Sequence, residues 1–176
     1  MEKSKITPPP SPTLIEWTDD KGRIFRFLIF ESPNDKNISF YLEEFKKHNV
    51  SAVVRACDKT YDPTPFVKEK FEFHEMEYKD GSIPPPETLQ RWLDLVHSTF
   101  KHNKSNQKTI AVHCIAGLGR SPLLVVLALI YEGMDHTEAI EYVRERRKGA
   151  FNLKHMSAIL RYKPKHHHKG DSCSIN

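Results

Sequence analysis

The chain has 176 residues, of which 38% are hydrophobic and 28% are charged, and this predicts one soluble domain with a sizeable core. We expect neither a signal peptide nor a membrane-spanning helix, because there is no N-terminal apolar run and the apolar segment Leu123 to Tyr131 is too short to cross a bilayer. Three widely spaced cysteines do not suit a disulfide scaffold, so a reducing compartment is expected.

The net charge of +4 is unevenly distributed. Residues 141–169 contain nine Lys or Arg against two Glu, so this segment is +7 and the remainder of the chain is −3. Such a basic end is an interaction feature in its own right, although we expect no nucleic-acid partner. Within it, Arg144 to Lys148 predicts a solvated helix C-terminus, and the alternative is that these cations add positive potential to the rim of a site.

The first third of the chain predicts a leader, two strands and a helix. Residues 1–13 are rich in proline and are expected to be a disordered leader. Two strand-like runs, Leu14 to Trp17 and Ile24 to Ile29, predict a hairpin at the edge of a sheet. Asn37 is expected to cap a helix from Ile38 to Lys47.

The remaining elements alternate between strands and helices. Strands are predicted at Val50 to Arg55, Phe71 to Met76 and Thr109 to Val112, with a polar loop at Asp58 to Pro65; helices are predicted at Glu87 to Lys101, at Leu123 to Tyr131, at Glu138 to Lys148 with Thr137 at its start, and from Asn152 to Tyr162. This alternation predicts an α/β fold with a mainly parallel sheet of four to five strands flanked by helices, over residues 14–163.

The chain is organised around the loop between the strand Thr109 to Val112 and the apolar helix that begins near Pro122. A loop of this kind points several backbone N–H groups into one concavity, and the helix N-terminus adds partial positive charge, so a phosphate or sulfate can be held. Two glycines let the backbone curl. The residues predicted to bind the anion are Ile115, Ala116, Gly117, Leu118, Gly119 and Arg120.

Cys114 is the predicted nucleophile, because an anion-binding loop also stabilises a thiolate. Arg120 can grip two phosphate oxygens with its planar fork, which a lysine cannot do. Ser121 can donate a hydrogen bond to the sulfur when it becomes a leaving group, and His113 is expected to order the loop rather than transfer protons. The alternative, a buried core cysteine in a strand-to-helix turn, explains neither the glycines nor the arginine.

The segment His113 to Arg120, HCIAGLGR, resembles the HC-x5-R signature of protein tyrosine phosphatases, and its AGLGR part is similar to the phosphatase of regenerating liver (PRL, type IVA) subfamily. The resemblance implies a cysteine-based dual-specificity phosphatase fold, hydrolysis through a cysteinyl phosphate, and no metal or organic cofactor. It implies a phosphotyrosine protein or a phosphoinositide as the substrate.

Asp80 lies in a loop that precedes a proline run. Its spacing fits an ordinary Asp-Gly turn or a carboxylic acid that protonates a departing alkoxide from a mobile loop, and the resemblance implies the second role. This chain differs from the phosphatase pattern at several positions: Met76-Glu77 replaces the usual Trp-Pro, Lys79 precedes the acid, and Ser121 stands where the subfamily generally has Ala.

The other two cysteines have candidate roles of their own. From the residues alone, Cys57 is a small buried residue at the end of a strand; the segment VVRACDKTYD resembles the subfamily's regulatory cysteine, which implies a reversible disulfide with Cys114. The terminal CSIN has the form of a prenylation box at Cys173, and the basic residues before it supply a second membrane signal. The resemblance favours this reading, which predicts an anionic membrane partner and a location on the cytoplasmic face of the plasma membrane or endosomes, with a cytosolic pool. The neighbouring histidine triplet is not interpreted as a metal site.

Three functional hypotheses follow. The leading one is a phosphotyrosine or dual-specificity phosphatase. The second is a binding regulator whose long-lived phosphocysteine controls contact with a magnesium-transport mediator of the cyclin M type, a partner that the resemblance implies. The third is a rhodanese-like or arsenate-reductase activity, against which the Arg120 spacing and the tail both argue.

Overall fold

A five-stranded sheet with the strand order β1-β2-β5-β3-β4 forms the centre of the computed structural model, which describes residues 9–105 and 107–166. The strands are β1 (Thr13–Thr18), β2 (Ile24–Phe30), β3 (Val50–Arg55), β4 (Glu72–Glu75) and β5 (Thr109–His113). β1 pairs antiparallel with β2, whereas the β2–β5, β5–β3 and β3–β4 pairs are parallel. The predicted mainly parallel sheet and its hairpin edge are therefore confirmed.

Helices cover both faces of the sheet. They are α1 (Ile38–Lys47), α2 (Thr64–Lys68), α3 (Pro86–Phe100), α4 (Arg120–Tyr131), α5 (His136–Arg146) and α6 (Leu153–Arg161). Alternation along β2 separates two apolar cores, because Phe27 and Ile29 face the side of α3 to α6 while Leu28 and Phe30 face the side of α1 and α2.

Helix α4 is the central helix of the larger core. Every residue from Ser121 to Ile130 is buried, as its almost wholly apolar sequence predicts. The indole Nε1 of Trp92, on α3, donates a hydrogen bond to the Leu124 carbonyl at 2.7 Å, which fixes α3 against α4. Within the described ranges, no helix is both long and apolar enough to cross a membrane.

Several element ends differ from the sequence predictions. In the described structure the Asn37 side chain makes no capping hydrogen bond to α1, and the cap of α5 is Asp135 rather than Thr137. Helix α2 occupies part of the segment predicted as a loop, because Pro63 and Pro65 suit a helical first turn. Asn152 caps α6 as predicted.

Candidate active site

The carboxyl ends of β3 and β5 lie side by side at one edge of the sheet. Arg55 pairs with His113 in the ladder, and the next amide along β3, that of Ala56, donates to the His113 carbonyl at 2.9 Å. Cys114 follows directly, and the loop of residues 115–119 leads into α4, which starts at Arg120. The sheet therefore delivers the cysteine, the glycine loop and a helix N-terminus to the same point.

Every carbonyl oxygen from residue 114 to residue 120 accepts a hydrogen bond from a residue outside this segment. The donors are His113 Nδ1 to Cys114 O (2.9 Å), Ser32 N to Ile115 O (2.9 Å), Arg147 Nη2 to Ala116 O (3.2 Å), Arg147 Nε to Gly117 O (2.7 Å), Phe151 N to Leu118 O (2.9 Å), Leu123 N to Gly119 O (3.0 Å) and the Tyr78 hydroxyl to Arg120 O (2.6 Å).

This arrangement determines where the loop amides point. In a trans peptide the N–H lies opposite the preceding C=O, so outward carbonyls leave the N–H groups of residues 115–120 facing inward. Among the described residues, none of these N–H groups donates to a backbone carbonyl. A concavity of successive free amides at the start of α4 is an anion-binding site.

Arg147 holds the underside of this loop, a role that the sequence analysis missed. Its guanidinium donates to two loop carbonyls and also, through Nη1, to the Thr13 hydroxyl at 2.9 Å. Burial lowers the pKa of this guanidinium. The prediction of a solvated helix end is therefore wrong for Arg147, which is tied into the structure. Gly117 has φ +69°, and a Cβ there would lie 2.5 Å from Arg147 Nη2.

His113 lies beneath the nucleophile and is fully buried. Because a carbonyl can only accept, Nδ1 carries the proton that is donated to Cys114 O, and Nε2 accepts from the Tyr61 hydroxyl at 2.7 Å. Burial lowers the pKa of His113 to about 4. The ring is thus neutral near pH 7 and held by two hydrogen bonds, which agrees with the expected loop-ordering role.

The predicted nucleophile and its partners share one cavity of about 280 Å³. Cys114 is only 4% exposed, and its Sγ lies 3.2 Å from the Ser121 hydroxyl. The buried Nε of Arg120 has no hydrogen-bond partner within the described part of the chain. An unpaired guanidinium N–H beside free amides and a sulfur suits a phosphate-sized anion.

Asp80 lines the same cavity, although it lies 34 positions before Cys114 in the chain. Its Oδ1 lies 3.1 Å from Nε2 of His155, a residue on α6 that the sequence analysis did not identify. Two residues before Asp80, the buried Tyr78 makes its hydrogen bond to the Arg120 carbonyl. The loop that carries the carboxylic acid is therefore attached to the anion-binding loop.

The two described cysteines are both buried and both free. Cys57 follows β3 at the edge where Cys114 follows β5, as the parallel pairing predicts. Burial, reinforced by the negative charge of the Cys114 sulfur, raises the pKa of the Cys57 thiol to about 11. Cys173 and its predicted prenylation box lie outside the described residues, as does most of the predicted leader.

Comparison with known proteins gives consistent matches. Residues 34–165 match the family described as dual specificity phosphatase, catalytic domain. The chain is 45% identical over 150 residues to a probable protein tyrosine phosphatase type IVA A of Dictyostelium discoideum, covering 85% of this chain and 87% of that protein. It is 38% identical over 171 residues to PRL-1 phosphatase of Drosophila melanogaster, covering 94% and 93%. A solved putative protein tyrosine phosphatase from Leishmania major is similar with a TM-score of 0.75 and 35% identity, over 88% of this chain and 99% of that one.

Proposed function

This chain belongs to the dual specificity phosphatase family, and within it to the PRL (type IVA) protein tyrosine phosphatases, and we propose that it hydrolyses phosphomonoesters at the cavity between Cys114 and Asp80. The observation that carries this proposal is the outward anchoring of every loop carbonyl from residue 114 to residue 120, which leaves inward amides around the sulfur. Phosphotyrosine in proteins is the proposed first substrate, with phosphoinositides as the second class.

In the first half of the reaction the Cys114 thiolate attacks phosphorus. An S–P bond forms, the ester P–O bond breaks, and Asp80 donates its proton to the departing oxygen. The loop amides and the Arg120 guanidinium bind the three equatorial oxygens, where charge accumulates in the transition state. No metal or organic cofactor takes part in the proposed reaction.

In the second half, water attacks the phosphocysteine and Asp80 removes its proton. The S–P bond breaks, phosphate leaves, and the sulfur departs as a thiolate. The Ser121 hydroxyl, 3.2 Å from Sγ, donates a hydrogen bond to that leaving sulfur. Because the sulfur is the leaving group only in this half, Ser121 is expected to accelerate this step rather than the first. A hydrogen bond to a charged group contributes roughly 1.5–3 kcal/mol.

The decisive experiment replaces the nucleophile while leaving the anion site intact. Cys114→Ser is expected to lose hydrolysis of p-nitrophenyl phosphate and to retain binding of inorganic phosphate, because the amides and Arg120 remain. Retained binding also shows that the variant is folded. Hydrolysis at the wild-type rate by this variant would rule out the thiolate mechanism.

The lifetime of the phosphoenzyme separates turnover from a second proposed role. A binding regulator of a magnesium-transport mediator would need a cysteinyl phosphate that persists, whereas Ser121 supports its breakdown. Rapid acid quenching after a single turnover measures the decay. Ser121→Ala should lengthen the lifetime roughly tenfold or more, and an equal lifetime in both proteins would remove Ser121 from the chemistry.

We also propose that Cys57 protects the nucleophile from over-oxidation. Peroxide would oxidise the Cys114 thiolate to a sulfenic acid, which then condenses with the Cys57 thiol, releases water and forms a disulfide. The buried position of Cys57 at the same sheet edge supports this pairing, and its raised pKa keeps it a protonated, poorly reactive thiol until then. Mass spectrometry after mild peroxide should find a bridge between Cys57 and Cys114; a sulfinic acid at Cys114 without any bridge would refute the proposal.

Membrane attachment through a prenyl group on Cys173 is proposed from the sequence of the tail. The same proposal places the protein on the cytoplasmic face of the plasma membrane or endosomes. Labelling cells with an isoprenoid analogue should mark the full chain and spare Cys173→Ser. An unlabelled wild-type chain would contradict it.

A further inference from the structure

His155 connects helix α6 to the loop that carries Asp80. It is only 4% exposed and occupies the third residue of α6, where its Nδ1 accepts a hydrogen bond from the Asn152 amide at 3.2 Å. A nitrogen that accepts from an amide has no proton, so in the neutral ring the proton is on Nε2. Nε2 faces Asp80 Oδ1 at 3.1 Å, and His155 is therefore the donor in this contact.

We propose that His155 is a positioning residue for Asp80, an inference that rests on the proposed role of Asp80 as the general acid. The helix cap fixes the tautomer of His155, and the tautomer directs one N–H at one carboxyl oxygen. With Oδ1 held, the other oxygen is the one that carries the proton for the leaving group. The N-terminus of α6, whose Asn152 and His155 also line the cavity, thus orients the acid.

The need for such a support is evident from the loop itself. The Asp80 side chain is 63% exposed, and the next residue, Gly81, has φ +80°. The Trp-Pro pair of the phosphatase pattern is replaced by Met76-Glu77. Among the described hydrogen bonds, two connect side chains of this loop to the rest of the site. They are the bond from the Tyr78 hydroxyl and the bond between Asp80 and His155.

Packing against the anion-binding loop adds a second constraint. A Cβ on Gly119 would lie 3.0 Å from Asp80 Oδ1 and 3.0 Å from His155 Cε1. The Asp80–His155 pair therefore sits directly on the backbone of the loop that binds the phosphoryl group. The hydrogen bond fixes the direction of the carboxyl group, and the backbone at Gly119 limits how closely that group can approach the anion-binding loop.

Two substitutions at position 155 distinguish a role of His155 in positioning Asp80 from a role in folding. His155→Glu retains an acceptor for the Asn152 amide, as in an ordinary capping box, but places a carboxylate against Asp80. His155→Gln supplies both an acceptor for the cap and a donor for Asp80. His102→Glu makes the same charge change at an exposed loop position and serves as the matched control.

The measured quantity is kcat on two substrates, a phosphotyrosine peptide with a poor leaving group and a difluorinated umbelliferyl phosphate whose leaving group needs little protonation. His155→Glu should lower kcat for the peptide roughly tenfold and for the fluorinated ester less than about threefold. His155→Gln should recover most of the lost rate, and His102→Glu should have no effect. Equal losses on both substrates, or no recovery by glutamine, would overturn the proposal.

Combination with Asp80→Asn distinguishes failure of this inference from failure of the proposed function. Asp80→Asn alone should lower kcat for the peptide by roughly a hundredfold. In that background His155→Glu should have less than about a twofold further effect, because the group that it positions is gone. A full multiplicative loss would make His155 merely structural, whereas normal activity of Asp80→Asn would refute the acid role itself.

Discussion

Lowering the pH should decrease the free energy of unfolding through one buried side chain, the imidazole ring of His113. The folded ring has a pKa lowered to about 4 by burial, whereas the ordinary value is 6.5. Between these values the unfolded chain binds a proton that the folded protein does not, so stability rises with pH and is lost as the pH falls from 6.5 towards 4. Lowering the pH from about 7.5 to about 5 should remove about 2 kcal/mol from this group alone.

Urea unfolding of the wild type and of His113→Asn at both pH values measures this difference. The variant has no titrating ring, so the gap in unfolding free energy between the two proteins should shrink by about 2 kcal/mol at the lower pH. His102→Asn, at an exposed position, serves as the control for the general effect of removing a histidine. If the wild type and His113→Asn lose stability in parallel, His113 titrates normally and the neutral-ring account is wrong.

Two further predictions concern the support of the anion-binding loop. Arg147→Lys keeps the charge but loses the planar fork that donates to two loop carbonyls, so vanadate inhibition should weaken roughly tenfold or more, and unchanged inhibition would contradict this support. Gly117→Ala places a Cβ 2.5 Å from Arg147 Nη2 and 2.9 Å from the Phe30 carbonyl oxygen at φ +69°, so urea unfolding should show that the free energy of unfolding falls by about 1–3 kcal/mol. Gly22→Ala serves as the control, because a Cβ there meets nothing within 4 Å at φ +74°, and its free energy of unfolding should fall less. Equal losses in the two variants would show that backbone strain alone is responsible.

The sequence was sufficient for the parts of the site that are close in the chain. From Cys114 to Ser121 the nucleophile, the turning glycines and the helix start are within one local segment, so their spacing alone predicts an anion-binding loop. The strands and the hairpin also follow from local apolar runs, and the alternation of strands with helices predicts the parallel sheet. Asp80 was placed by its resemblance to the phosphatase loop, because an Asp-Gly pair alone is compatible with an ordinary turn.

The supports of the site could not be predicted in this way, because their partners are distant in the chain and their own sequences look ordinary. Arg147 is one of several cations at the end of α5, and nothing in the run of charges shows that this one is half-buried and hydrogen-bonded to Gly117. The contact between His155 and the helix cap was predictable from the sequence. Asn152 was correctly predicted as a cap, and the third residue of a capped helix commonly bonds back to the cap.

That capping bond has a chemical consequence when the third residue is a histidine. Glutamate in this position accepts from the cap amide and has no donor to offer, whereas histidine accepts on one nitrogen and donates from the other. The local rule that begins a helix thereby produces an N–H with a fixed direction at the edge of the cavity, 3.1 Å from Asp80 Oδ1. Because the Trp-Pro pair is missing, a donor on a rigid helix end is a sound physical means of orienting an otherwise exposed carboxylic acid.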